Sequence, residues 1–195
     1  MTDRDGLHGG RLADLVSRLG RAAHGLQFTD GLNPAQWEAL RFLGRANRTS
    51  RSPSALAEFL GTTKGTASQT LRALEAKGYV RRARGAADRR SVALDLTTAG
   101  EKLLEADPMA HLEQLAAQIP EQLGTAMADG LESLLRGLRA SCGSAMFGVC
   151  AECGHHLADG GCRTAERLDR CGLSGDALTI DDGNRICVNF DPWPA

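Results

Sequence analysis

The sequence predicts a mainly α-helical fold with one small β-hairpin, followed by a small irregular segment rich in cysteine. Three observations predict it. Apolar residues recur at helical spacing from residue 11 to about residue 140. Two short alternating runs flank a glycine turn near residue 85. All six cysteines lie at Cys142 or later. We therefore divide the chain into residues 1–141 and residues 142–195.

The elements follow in order. Leu12, Leu15, Val16, Leu19, Ala22, Ala23 and Leu26 form one apolar stripe, so residues 11–27 read as a helix. Asn33-Pro34 starts a second helix, with Asn33 as its N-cap and Pro34 at the first helical position, where its missing N–H costs nothing. That helix carries Trp37, Leu40, Phe42 and Leu43 and ends in the polar stretch 47–51. Ser52-Pro53 begins a third helix, 54–60, which Gly61 stops. Thr62 or Thr63 caps a fourth, which runs to Lys77 with Gly78 behind it and packs through Ala67, Leu71 and Leu74. Residues 79–84 and 91–96 read as strands around the turn 85–88. Thr97 or Thr98 caps a longer helical stretch through Leu103, Leu104, Leu112, Leu115 and Ile119, and Pro108 kinks or splits it. Pro120 opens the last helix, with Leu123, Ala126, Leu131, Leu134, Leu135 and Leu138. Gly143 and Ser144 mark the boundary.

The formal net charge is −1, so any affinity for nucleic acid must come from local clustering. Residues 1–141 hold 19 Lys/Arg against 16 Asp/Glu, and residues 142–195 hold 4 against 8. Arg81, Arg82, Arg84, Arg89 and Arg90 fall within ten residues. The charged start leads into no apolar run of a secretory signal, and no apolar run approaches the roughly 18–20 residues of a membrane helix. The expectation is a soluble cytoplasmic protein without a membrane partner. In a reducing cytosol, clustered cysteines favour metal binding or thiol redox chemistry over structural disulfides.

A short helix, a tight turn at Gly61 and a helix with a polar free face make a helix-turn-helix, and the hairpin adds a wing. Residues 33–100 are thus expected to read duplex DNA. Thr63, Lys64, Thr66, Ser68, Gln69 and Arg72 supply the free face. Thr63 and Lys64, at the helix N-terminus, suit phosphate. Gln69 and Arg72 are long enough to reach base edges in the major groove. Arg84, Arg89 and Arg90 sit on a hairpin suited to straddling the backbone and entering a minor groove. A merely solvated charged face, or a winged helix used for protein contacts, are the competing readings. Helix, turn and hairpin in register weigh against both.

These residues resemble the MarR family of regulators. The resemblance is carried by Leu60-Gly61 through Leu74-Glu75-Ala76-Lys77-Gly78-Tyr79-Val80-Arg81, then Asp88-Arg89-Arg90-Ser91, then Leu96-Thr97-Thr98-Ala99-Gly100. It covers roughly residues 10–140. It implies a winged helix with an α-helical dimerisation region, a homodimer joined by the first helix and the last two, and a pseudo-palindromic double-stranded DNA operator. It also implies that Asp88 braces the wing, that Arg90 is the minor-groove contact, and that a small-molecule effector pocket lies near the dimer interface.

The cysteines are spaced Cys142-x7-Cys150-x2-Cys153-x8-Cys162-x8-Cys171-x15-Cys187. A C-x2-C pair lets two thiolates meet one metal from a single turn, with Gly154 relieving the backbone behind it. The expected ligands are Cys150, Cys153, Cys171 and Cys187, with Cys162, His155 and His156 as nearby reserves and Cys142 belonging to the last helix. The order C-x2-C-x17-C-x15-C with Phe190 and Trp193 after it resembles high-potential iron–sulfur proteins over about 40 residues. Cys150 to Gly154 equally resembles a zinc knuckle. All-thiolate ligation suits an iron–sulfur cluster, which we slightly prefer, or Zn²⁺; a metal-free thiol switch is the third reading.

No phosphate-binding glycine loop or nucleophile elbow accompanies these features. His111-Leu112-Glu113 with Cys150-x2-Cys153 imitates a deaminase signature, but Val149 stands where that signature needs proline. The expectation is a regulator, a repressor, and not an enzyme. Its cysteines sense redox state or metal, acting through the last helix. The alternative is an aromatic-acid-responsive regulator whose metal site is purely structural, and a metal- or thiol-dependent enzyme is the remotest reading.

Overall fold

The computed structural model describes residues 3–84, 92–158 and 169–192, with side chains from residue 8 to residue 83 in the first of these spans. Helices α1 (Asp3–Leu26), α2 (Pro34–Arg45), α3 (Pro53–Phe59) and α4 (Lys64–Ala76) lead into strands β1 (Val80–Arg84) and β2 (Val92–Leu96). The strands pair antiparallel, Val80 opposite Leu96 and Arg84 opposite Val92. Helices α5 (Thr98–Leu104), α6 (Ala110–Ala116) and α7 (Glu121–Ser141) follow.

The cysteine segment is more regular than its composition indicates. It contains β3 (Gly148–Val149), β4 (His156–Leu157), β5 (Asp169–Cys171), β6 (Ala177–Leu178), the single turn α8 (Ile180–Gly183) and β7 (Ile186–Cys187). β3 pairs with β7, and β4, β5 and β6 form a second sheet. Strands of two or three residues are too short for a period of two to show in the sequence.

Local chemistry sets the helix starts. Asn33 Oδ1 accepts from Gln36 N at 3.0 Å while Gln36 Oε1 accepts from Asn33 N at 3.1 Å, a reciprocal capping box. Ser52 caps α3, Thr63 rather than Thr62 caps α4, and Thr97 rather than Thr98 caps α5. Gly61 and Gly78 close α3 and α4 at φ of 60° and 76°, where a side chain would be strained. α1 begins well before residue 11, because its polar first turns carry no apolar periodicity.

Pro108 splits the helical stretch into α5 and α6. The turn between them is held by Asp107, which accepts from Met109 N at 2.8 Å and forms a two-pronged ion pair with Arg41 at 2.6 and 2.9 Å. Arg41, only 15% exposed, also reaches Glu38 at 2.8 Å and Gln27 at 2.9 Å. One guanidinium thus ties α2 to the end of α1 and to the α5–α6 turn.

The core lies between α2, α3, α4 and the hairpin. Trp37, Leu40, Phe42, Leu43, Leu56, Leu71, Leu74, Val80 and Leu94 form it, and Ile186 of β7 joins them. Phe147, just before β3, sets its ring edge-on to Phe59 at 5.3 Å and Phe42 at 6.5 Å, and Arg139 of α7 stacks over its outer face. The cysteine segment is therefore seated on the helical body, not tethered beside it.

α1 and α7 differ from the rest. No described side chain of α1 and none of α7 is buried. Leu12, Leu15, Val16 and Leu19 on α1 are exposed, as are Leu123, Met127, Leu131, Leu134, Leu135 and Leu138 on α7, the last at 64%. Apolar stripes this long are unusual on an isolated surface.

Gly100 explains the Leu-Thr-x-x-Gly segment physically. A Cβ there would overlap the carbonyl of Tyr79, which already accepts from Thr97 N at 3.0 Å. Gly100→Ala is expected to cost about 1–3 kcal/mol by overpacking. A urea titration that shows no loss of stability would refute this reading.

Candidate nucleic-acid interface and cysteine centre

α4 has one face in the core and one in solvent. Ala67, Leu71 and Leu74 are fully buried, while Thr63, Lys64, Thr66, Gln69 and Arg72 are exposed and Ser68 is half-buried. The Thr63 hydroxyl accepts from Thr66 N at 3.1 Å and lies 3.0 Å from the Thr66 hydroxyl, so both are partly committed to the cap. Lys64, Gln69 and Arg72 stand on the same open side.

The wing is only partly described. Arg84 lies in β1, its backbone opposite Val92, and Asp88, Arg89 and Arg90 lie outside the described residues. Two other arginines of the cluster are committed within the fold. Arg82 pairs with Glu75 at 2.9 Å, fastening β1 to α4, and Arg81 pairs with Asp95, its partner across the hairpin, at 3.4 Å. The free positive charge of the hairpin is accordingly smaller than five arginines indicate.

The two small sheets bring the cysteines together. β3 runs into a 3₁₀ turn, Cys150–Glu152, in which Cys153 N donates to Cys150 O at 3.2 Å. β7 places Cys187 opposite Gly148, and β5 places Cys171 opposite His156. Cys150, Cys153, Cys171 and Cys187 all line one cavity of about 120 Å³, with His155, His156 and Asn47. Cys162 lies outside the described residues, and Cys142, at the end of α7, is exposed. His155 lies 3.8 Å from Asp191, and His156 hydrogen-bonds Asp169 at 3.1 Å.

Polar donors surround the sulfurs. Asn47 Nδ2 donates to Cys150 Sγ and Asp191 N to Cys153 Sγ, each at 3.5 Å. Cys187 lies close enough to Cys150, the Asn189 backbone, Asn47 and Ser50 for each to act on its thiol. The Cys150 hydrogen bond is the main cause that pulls Cys187 down to about 5, against burial that pushes it up. The same bond, then burial, pushes Cys150 well above the ordinary thiol range.

The donor set fits a thiophilic metal in its chemistry: four sulfurs on one cavity, with N–H groups aimed at two of them. Its geometry is not yet closed. Among the described residues, no three His, Cys, Asp or Glu side chains stand as a group able to hold a metal ion. Binding would have to draw the sulfurs together. Asn47 and Ser50 are the members of this centre that sequence reasoning missed. They come from the α2–α3 loop, 103 and 138 residues from the atoms they bond, and no spacing rule reaches that far.

A helix pair joined by a tight turn, with a hairpin folded back on the second helix, defines a winged helix-turn-helix protein. Residues 30–91 match the family model described as MarR family. A MarR/EmrR family transcriptional regulator from Acinetobacter sp. ADP1 is 25% identical, with a TM-score of 0.53, covering 71% of this chain and 96% of its own. The S. aureus MepR–DNA complex is 24% identical, with a TM-score of 0.53, over 64% and 96%. CouR from Rhodococcus jostii RHA1, solved with p-coumaroyl-CoA, is 22% identical, with a TM-score of 0.53, over 63% and 90%. No curated protein matches. The winged helix of this chain is therefore similar to that of the MarR family of transcription regulators. The matched structures are covered almost whole, yet about a third of this chain has no counterpart in them.

Proposed function

We infer that the protein is a homodimeric repressor that binds a pseudo-palindromic duplex and whose four-thiolate centre responds to metal or redox state. The observation that carries the DNA-binding part is α4, which buries Ala67, Leu71 and Leu74 and holds Lys64, Gln69 and Arg72 outward. The solved complex of MepR with DNA supports the same use of this fold here. Arg90 enters the minor groove, Arg84 and Arg89 meet the DNA beside it from the same hairpin, and Asp88 braces the wing. Among the described residues no helix is long and apolar enough to cross a membrane, in keeping with a cytoplasmic regulator.

Gln69→Ala is expected to relax sequence preference and cost about 1–3 kcal/mol, while Arg90→Ala weakens binding across sequences and lowers the salt slope by about 1. Affinities for matched and scrambled duplexes at several salt concentrations check both. Unchanged values would remove these residues from the interface.

Cys150, Cys153, Cys171 and Cys187 hold a thiophilic metal, as an iron–sulfur cluster or a single zinc ion. Anaerobically purified protein is expected to carry iron and sulfide with visible absorption, or one zinc per chain and no colour. Protein that binds neither metal after reconstitution would sink the centre.

A second reading rests on a separate cavity of about 320 Å³ between α1, α2 and α4, lined by His24, Gln27, Pro34, Glu38, Thr66 and Thr70 among others. In it a small acid or its thioester acts as effector, as CouR's bound p-coumaroyl-CoA prompts, and the metal is purely structural. Release of DNA by such a ligand, with metal removal having no effect, would favour it.

A further inference from the structure

The cysteine centre does not end at its own segment. Asn47 is 5% exposed and Ser50 fully buried, and both belong to the loop that joins α2 to α3. Asn47 N donates to Ile186 O at 2.9 Å, beside Cys187, and Asn47 Nδ2 donates to Cys150 Sγ at 3.5 Å. Asn47 Oδ1 accepts from Thr49 Oγ1 at 3.0 Å and from Ser50 N at 2.9 Å, which fixes the shape of the loop. Ser50 Oγ accepts at 2.9 Å from the N–H of Val188, the residue after Cys187, and lies close enough to Cys187 to favour its thiolate. The loop's two buried polar side chains are thus occupied with the sulfur of Cys150 and with the backbone next to Cys187.

The next residues of the same loop hold the DNA-reading elements. Ser52 N donates to Ser50 O at 2.8 Å, and the Ser52 hydroxyl caps α3 by accepting from Ala55 N at 3.2 Å. Arg51 O accepts from Leu94 N of β2 at 2.8 Å, and its guanidinium reaches Asp95 at 3.5 Å. α3 packs on α4. Ser50 is thus adjacent to the residue that bonds the wing strand and two residues from the cap of the first helix of the helix-turn-helix.

We propose that Asn47 and Ser50 are positioning residues that read the state of the thiolate centre and pass it to α3 and the wing. The proposal rests on the metal-binding reading above. The four sulfurs are not gathered as they stand, so a metal must move them. Buried donors and acceptors cannot be left unpaired at little cost, so Asn47 and Ser50 follow the sulfur and the backbone to which they are bonded. The α2–α3 loop then shifts, and α3 with β2 shifts with it. This route differs from the one expected from the sequence, through α7, because the centre sits on the α2–α3 loop.

The test uses the full chain, reduced, with Zn²⁺ as the probe and a chelator to remove it. Amide hydrogen exchange is followed over residues 46–60 and 92–96. Zinc is expected to change exchange there by about tenfold, as well as in residues 148–190. In Asn47→Ala the thiolate-to-metal absorption of the Co²⁺ form should persist, with zinc affinity lowered about tenfold. The zinc effect on 46–60 and 92–96 should fall below about twofold. Ser50→Ala carries the same expectation and keeps the test open if Asn47→Ala does not fold. Zinc binding with no effect on 46–60 in the wild type overturns the proposal and leaves the metal site standing. A full effect retained in both variants overturns it too. Failure of the wild type to bind zinc or to rebuild a cluster removes the metal site and the proposal together.

Discussion

Replacing Leu131 and Leu135 of α7 with glutamate is expected to yield a monomer that binds a two-half-site duplex about 10²–10⁴-fold more weakly. The apolar stripes of α1 and α7 are exposed in the single chain and bury nothing in it. Each leucine covered by a second copy contributes about 1.5–3 kcal/mol of burial, and a buried carboxylate without a partner costs more than that gain. Once the first recognition helix of a dimer has docked, the second meets its half-site at an effective concentration in the millimolar range. A monomer loses that second step entirely while keeping its own contacts. Sedimentation and duplex titration decide the matter, with single half-site DNA as the control that should bind both forms alike. A variant that stays dimeric, or a monomer with undiminished affinity for the full site, would show that α7 is not the joint.

Ile186→Ala is expected to destabilise the winged helix itself by about 2–3 kcal/mol, the lower part of the range for truncating a buried aliphatic side chain. Ile186 is 7% exposed and packs into the same cluster as Trp37, Leu56 and Leu94, and its carbonyl accepts from Asn47 N. Its strand lies parallel to the chain at Ala46, bridging the two parts of the molecule. Urea denaturation followed by far-ultraviolet circular dichroism, which the helices dominate, should show a lower midpoint with an unchanged slope. A midpoint equal to wild type would mean that the cysteine segment folds and unfolds on its own.

Much of the helical architecture was legible because its signals are local. Asn33, Ser52, Thr63 and Thr97 each act on an amide three residues away, and Pro108 acts on its own turn. The packing and open faces of α4 followed from helical period alone. The ion pairs of Arg81 and Arg82 did not, since they depend on hairpin register and on how β1 crosses α4. The cysteine spacing pointed to a candidate donor set, but its convergence depends on strands too short to leave a pattern. Asn47 and Ser50 were invisible for a further reason. They look like ordinary loop residues, and their partners lie at the other end of the chain.

The position of Ile186 also bears on the order in which the molecule is made. The residues proposed to face DNA are complete by the end of the hairpin, yet the core beneath α4 is not closed until residue 186 has been synthesised. Contacts of such long sequence separation form late, and a chain still growing presents the cluster around Ala46 without Ile186. A nascent or truncated chain would therefore hold its recognition helix on an unfinished scaffold. The fold itself delays closure of that core until the cysteine segment has arrived.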